Sequence, residues 1–306
     1  LRPGKTAWAN YVKGVLAQFQ KHGQPIPAFD AVVASDVPLG GGLSSSAALE
    51  VATASMVEVM LGIAVEPQRK ALWCQAAEHE FAGMPCGIMD QFVSVMARRD
   101  HALLIDCRDH STRAIPFDDP DVAVVIANSN VKHELTGSEY PARRQQCERA
   151  VEVLARRNPS IRALRDADSK QLRDARDHMD AVTYRRARHV IGEIERTRLA
   201  APALERGDYA EMGRLMLESH RFLRDDFEVS TPELDALVEL AMEVEGVFGS
   251  RMTGGGFGGC TVSLVHAAAV DRLVAHLNLG YEAKTGVAPT CFATRPADGA
   301  RSWRLQ

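Results

Sequence analysis

The sequence predicts an α+β protein made of two domains, and three features predict it. A glycine-rich loop, Gly40-Gly41-Gly42, stands between a run with strand character and a run with helical periodicity. A Pro- and Asp-rich link around Pro116 to Pro120 interrupts the pattern and sets domains at 1–118 and 119–306. The second half is mostly long helical runs, then closes as strand, helix, strand, which suggests an α+β sandwich.

In chain order, Ala7 to Phe19 reads as a helix with Tyr11, Val12, Val15 and Leu16 on one face. Ala28 to Asp36, aromatic and β-branched, reads as a strand leading into the glycine loop. Leu49 to Met60 reads as a helix whose apolar stripe is Leu49, Ala52, Thr53 and Met56. Pro67 suits the first turn of a further helix, Gln68 to Phe81, striped by Trp73, Ala76, Ala77 and Phe81, with Glu78 off the stripe. Gly83 to Phe92 is a tight loop opening a short helix; Ala102 to Cys107 and Asp121 to Asn128 read as strands. Tyr140 to Arg157, Tyr184 to Glu205 and Asp208 to Arg224 read as helices, and another begins at Thr231-Pro232. The charged stretch Asn158 to Asp180 reads as short helices and loops. A second glycine loop spans Gly249 to Cys260, followed by a strand Thr261 to Val265, a helix Ala268 to Leu279 and a strand Thr290 to Thr294.

Composition excludes several classes. A net charge of −4 and a pI near 6.2 supply no basic field for nucleic acid or anionic membrane. No run approaches the ~18 apolar residues of a membrane span, and no apolar stretch follows Leu1-Arg2-Pro3-Gly4-Lys5 to make a signal peptide. Six scattered cysteines without a C-x-x-C pair argue against zinc and against a disulfide scaffold, and fit a reducing cytoplasm. The expected protein is a cytoplasmic monomer that works on small molecules.

The chemistry begins at Gly40, Gly41, Gly42, Leu43, Ser44, Ser45 and Ser46. Three glycines let backbone approach a ligand closely. Three serines follow with hydroxyls and free N–H groups at a helix start, where the macrodipole favours negative charge by about 0.3–1 kcal/mol. One capping serine would serve helix stability alone; three glycines and three serines exceed that need and make a phosphate cradle. It is neither a P-loop, which needs a Gly-Lys pair, nor the dinucleotide G-x-G-x-x-G loop. Asp90, after Gly87 at a helix start, fits either a helix cap or a base that takes a proton from a substrate hydroxyl. Glu78 fits either a solvated helix face or a carboxylate for Mg²⁺ beside a polyphosphate. Tyr140, at a helix entrance, fits half-buried packing or a hydrogen bond to a sugar hydroxyl. The second glycine loop can approach a phosphate or another loop.

Together these segments resemble the GHMP kinases, and within them the galactokinases. Pro38 to Ala48 is similar to the family's ATP-binding second motif, Gly249 to Cys260 to its third, and Gly83 to Phe92, with Cys86-Gly87-Ile88-Met89-Asp90-Gln91, to its catalytic segment in galactokinase form. Glu139-Tyr140-Pro141 and Glu218-Ser219-His220-Arg221 to Pro232 fit the same branch. The resemblance implies a two-domain GHMP kinase fold and transfer of phosphate from ATP to the C1 hydroxyl of α-D-galactose. It implies that Gly40 to Ser46 wrap the ATP phosphates, that Ser46 and Glu78 hold Mg²⁺, that Asp90 is the base, and that Gly87 and Tyr140 touch the sugar. Gly254, Gly255, Gly256 and Gly258 would brace the phosphate loop and the substrate. The family's first motif, with its Gly-Glu-His-Thr-Asp-Tyr segment, has no match in the 37 residues before Pro38. The N-terminal domain is therefore expected to be truncated and the fragment weakly active or inactive. Two further readings follow from the same residues: a kinase for a related sugar such as N-acetylgalactosamine or arabinose, and a galactose- and ATP-binding regulator without turnover.

Overall fold

The structure, a computed structural model, describes residues 1–38, 42–132 and 139–303, without the side chains of residues 132, 139 and 140. The chain forms two units, Leu1–Asp118 with Arg295–Gln306, and Asp119–Thr294. The tail from Arg295, expected with the second domain, thus belongs to the first unit: Arg99 N–H donates to Asp298 at 2.9 Å and Gly299 N–H to the Ala97 carbonyl at 2.8 Å.

The first unit is a helical layer with one hairpin. It contains α1 (Ala7–Lys21), α2 (Ser45–Leu61), α3 (Pro67–Ala77), α4 (Met89–Met96), β1 (His101–Ile105) and β2 (Thr112–Pro116). Pro67 opens α3 as its residue type suggests, and Glu66 caps it by accepting from the Gln68 and Arg69 amides at 3.0 and 2.8 Å. The core joins Val15 and Phe19 of α1, Val51, Ala54 and Val57 of α2, and Trp73, Cys74 and Ala77 of α3. Phe19 meets Trp73 edge-to-face at 5.1 Å between ring centroids.

Three expectations change here. Residues 28–36 pair with none of the described strands and are mostly exposed, Val32 at 98%, because β propensity makes a strand only where a partner edge exists. On α2 the buried face runs through Ala47, Val51, Ala54 and Val57, while Ala52 is exposed. The helix is apolar nearly all round, so its periodicity does not select one face. Glu78 is buried, not off the packed stripe: α3 runs into a π-helical turn, Glu78–Ala82, closed by Met84 N–H to the Glu78 carbonyl at 3.3 Å. Glu78 follows buried Cys74 by one helical turn and buried Ala71 by two, so it continues their face into the core.

The second unit is built on an antiparallel sheet in the order β4-β5-β3-β6, from β3 (Val122–Lys132), β4 (Val247–Met252), β5 (Gly258–His266) and β6 (Thr290–Thr294). Its helices are α5 (Glu139–Arg157), α6 (Ser169–Asp174), α7 (Ala181–Glu205), α8 (Tyr209–Phe222), α9 (Pro232–Met242) and α10 (Val270–Thr285). Leu237 and Leu240 of α9 and Leu273, Leu277 and Tyr281 of α10 bury against Val125 and Val265 of the sheet. A second cluster joins α5, α6 and α7 through Leu154, Leu172 and Ile191. The second glycine loop is shorter than expected: its first residues are strand β4 and its last are strand β5, leaving 253–257 between them. Gly249 is not a loop glycine. It sits where α8 crosses β4, and a Cβ there would fall on the Gly213 backbone, as one on Gly213 would fall on the Phe248 carbonyl.

Among the described residues no helix is long and apolar enough to cross a membrane. The α8–β4 crossing yields a stability prediction. Gly213→Ala forces the helix off the strand, and overpacking of this kind costs about 1–3 kcal/mol, more than the ~1 kcal/mol that Ala adds in helix propensity. The urea midpoint of the variant is expected to fall; an unchanged midpoint would show that the crossing has slack.

Candidate active site

Glycine and serine set the geometry at the start of α2. Gly42 has φ +70° and Ser44, the N-cap, has φ +54°, so the chain enters the helix through left-handed backbone. Gly40 and Gly41 lie outside the described residues. Ser44 does not cap α2 with its side chain. Its carbonyl takes the first helical bond, from Ala48 N–H at 3.0 Å, so the amides of Ser45, Ser46 and Ala47 precede the ladder and lack helical acceptors. The first turn holds no acidic side chain, so the positive end of the helix is not neutralised from within it. Leu43, Ser45 and Ser46 are half-buried and Gly42 is exposed.

The Ser44 hydroxyl is used elsewhere: its Oγ donates to Asp90 Oδ2. Asp90 is half-buried in the first turn of α4, and this bond ties it to the N-terminal end of α2. The preceding loop is pinned from α3 and the π turn, where the Cys86 carbonyl lies 3.3 Å from Gln75 Nε2 and 2.9 Å from His79 Nε2. Gly83 turns this loop with φ +70°. Gly87 is exposed, and a Cβ there would meet nothing within 4 Å, so packing does not require glycine at that position.

Behind Asp90 lies a buried polar cluster. Gln91, 1% exposed, donates through Nε2 to Glu78 Oε2 at 2.7 Å and to Glu50 Oε2 at 3.1 Å. Glu50 is fully buried on α2, and burial and neighbouring Glu78 outweigh the lowering effect of the Gln91 amide, pushing its carboxyl up to about 9. It is a neutral acid at neutral pH. Burial and the Glu78 charge push the Cys86 thiol up to about 12, so it is no nucleophile. Burial, then the neighbouring Glu78, also raises the Tyr11 phenol of α1. Sequence reasoning missed Glu50 and Gln91. The signal was their residue type in apolar helical runs, Glu50 one turn after Ser46 and Gln91 next to Asp90.

Ser46 and Glu78 fit a divalent cation by donor chemistry. Both offer hard oxygen, and Mg²⁺ takes few protein ligands beside phosphate oxygens and water. Ser46 precedes Glu50 by one helical turn, so it shares the face of α2 that reaches the Glu78 cluster. Among the described residues no group of three or more His, Cys, Asp or Glu could cage a metal by itself.

In the second unit, the 253–257 turn carries Gly254 at φ +77° and Gly256 at φ +83°, and Phe257 is left-handed at φ +61°. Gly256 lies against Val229, where a Cβ would strike the carbonyl, and Phe257 N–H donates to that carbonyl at 2.7 Å. Gly255 faces open space and Gly258 begins β5. The Val229 segment is itself clamped. Arg143 donates to the Phe227 and Glu228 carbonyls at 2.7 and 2.9 Å, and buried Arg186 to the Asp226 carbonyl and to Glu228 Oε2. The side chain of Tyr140 lies outside the described residues; its backbone is in α5.

Glu50 gives a pH prediction. Its carboxyl titrates near 4.5 when unfolded and near 9 when folded, so between those values the folded chain holds a proton that the unfolded chain has lost. The stability this proton confers is complete below about 4.5 and is lost as pH rises through 9. Glu50→Gln, neutral at every pH, lacks that slope: its melting temperature relative to the parent should rise steadily from pH 5 to pH 9. A constant difference would contradict the neutral acid.

Comparison with known proteins places this geometry in a family. Residues 10–98 match the model for the GHMP kinases N terminal domain and residues 200–283 the model for GHMP kinases C terminal. Galactokinase from Homo sapiens is 54% identical over 301 residues, 98% of this chain and 74% of that protein. Galactokinase from Roseiflexus sp. (strain RS-1) is 47% identical over 293 residues, 96% of this chain and 75% of that protein. The crystal structure of Lactococcus lactis galactokinase complexed with galactose superposes with a TM-score of 0.92 at 30% identity, covering 98% of this chain and 77% of that one.

Proposed function

We propose, for a chain that belongs to the galactokinases of the GHMP kinase family, ATP-dependent phosphorylation of the C1 hydroxyl of α-D-galactose. The observation that carries this reading is the hydrogen bond from Ser44 to Asp90. It sets a carboxylate one side chain away from the amides at the start of α2, where the terminal phosphates of a nucleotide are best held. A base in that place meets the hydroxyl that attacks the γ-phosphorus.

The residues divide the work as follows. The backbone of Gly40 to Ser46 binds the nucleotide phosphates; Ser46 and Glu78 hold Mg²⁺. That ion, when bound, neutralises charge on the β- and γ-phosphate oxygens. Asp90 orients the C1 hydroxyl and accepts its proton at a carboxylate oxygen, while Ser44 fixes the carboxylate's rotamer. Transfer runs largely through a loose transition state, so alignment and charge do most of the catalysis and the base adds to them. Gly87 and Tyr140 contact the sugar, and Gly254, Gly255, Gly256 and Gly258 assist substrate binding; these roles rest on the family resemblance. All six cysteines are free, which fits a reducing cytoplasm.

Asp90→Asn tests this reading. It keeps the side chain's size and one oxygen for the Ser44 hydroxyl but accepts no proton. On the full-length gene product, kcat should fall by ~10²–10⁴-fold with Mg-ATP affinity nearly unchanged. A helix-capping role predicts instead a lower melting temperature and a near-normal kcat in the folded enzyme, and that result would overturn the assignment.

A further inference from the structure

Gln91 stands one residue after the proposed base and has no part in proton transfer. It is nevertheless the donor that links two helical segments to α4. Its single Nε2 reaches Glu78 at the start of the π turn, at 2.7 Å, and Glu50 on α2, at 3.1 Å. All three side chains are buried, Glu50 completely, Gln91 to 1% and Glu78 to 6% exposure. An amide in this position is costly for packing alone, since Gln91 Oε1 and Glu50 Oε1 are buried and have no hydrogen-bond partner among the described residues. A side chain kept there only to fill space would be apolar.

We infer that Gln91 is a positioning residue, which holds the Glu78 carboxylate in one orientation so that it can serve a divalent cation on a bound nucleotide. The inference rests on the assignment of Glu78 and Ser46 to that cation. A lone carboxylate on a π turn has several rotamers open to it, and a hard cation with few protein ligands depends strongly on each oxygen being in place. Gln91 removes that freedom by taking Oε2. The third side chain, Glu50, accepts the same amide through its own Oε2 and braces the cluster from the helix that carries Ser46. The arrangement follows the general logic by which groups behind a metal's ligands set the ligands' direction. It also makes Asp90 and Glu78 move together, because the residue that orients one is the chain neighbour of the other.

Two substitutions separate this role from packing. Gln91→Met keeps the length and fills the volume but donates nothing. Gln91→Asn keeps the amide but is one methylene too short to reach Glu78. The readout is the binding of a fluorescent adenine nucleotide to the chain, titrated with Mg²⁺ and repeated without divalent cation, alongside the melting temperature. In the parent, Mg²⁺ should tighten nucleotide binding. In both variants the Mg²⁺ concentration for half-maximal effect should rise on the order of 10–100-fold, with metal-free nucleotide binding unchanged. A parent-like Mg²⁺ requirement in either folded variant would overturn the inference, as would an equal loss of binding with and without the metal, the mark of a purely structural role. If the parent itself showed no response to Mg²⁺, the assignment of Glu78 and Ser46 to the cation would fall first, and the role of Gln91 with it.

Discussion

Two successive residues of α4 anchor it to α2, and the first unit's chemistry depends on that join. Asp90 accepts from Ser44 at the N-cap of α2, and Gln91 donates to Glu50 in the helix's second turn. Adjacent residues on a helix point about 100° apart, so they can engage two points of a neighbouring helix only at one relative placement. The join therefore fixes the carboxylate near the amides of the helix start that lack helical acceptors. It also explains why Ser44 tolerates left-handed backbone, a conformation costing a non-glycine residue roughly 1–2 kcal/mol: the hydroxyl gains a charge-assisted partner.

The electrostatics follow from burial. Three carboxyl groups, Glu50, Glu78 and Asp90, converge on this part of the unit, and three full charges would repel one another and any polyphosphate. The protein meets this by keeping Glu50 neutral, its carboxyl raised to about 9 chiefly by burial. Gln91 then supplies a donor to both buried groups without adding charge. The positive helix end then lies in the same part of the unit as Glu78 and Asp90, to which we assign the cation and the proton.

The second unit solves a different problem. Its glycine turn has little internal hydrogen bonding, so its shape is imposed from outside by Val229, and Val229 by arginines of α5 and α7 that grip the carbonyls before it. Buried Arg186 thus acts on the turn at one remove. Packing does not require glycine at Gly255, whereas Gly256 is required by both its φ and its contact with Val229.

Much of this was legible in the sequence, for reasons that differ by residue. Asp90 and the serines stood out because glycines, a proline and clustered hydroxyls break the helical pattern around them. The helices α1, α7 and α9 and the strand β6 lay close to where periodicity and caps put them. Glu78 was misplaced because the stripe was drawn through Trp73, Ala76, Ala77 and Phe81, whereas the buried face of α3 runs through Ala71, Cys74 and Glu78 at the same helical period. Strand β4 was hidden by Gly249, whose absent side chain serves the α8 crossing. The run from Ala28 to Asp36 has strand residues but no partner strand among those described. The partnership of Ser44, Asp90 and Gln91 with α2 is a contact between segments more than forty residues apart, and no local pattern encodes it. A double-mutant cycle reads that partnership most directly, with galactose phosphorylation rates measured for Ser44→Ala in the parent and in the Asp90→Asn background. If the hydroxyl works by holding the base, Ser44→Ala slows the parent markedly and has little further effect once Asp90 is Asn. The same fold-loss in both backgrounds would contradict the account, because the serine would then act independently of the carboxylate it touches.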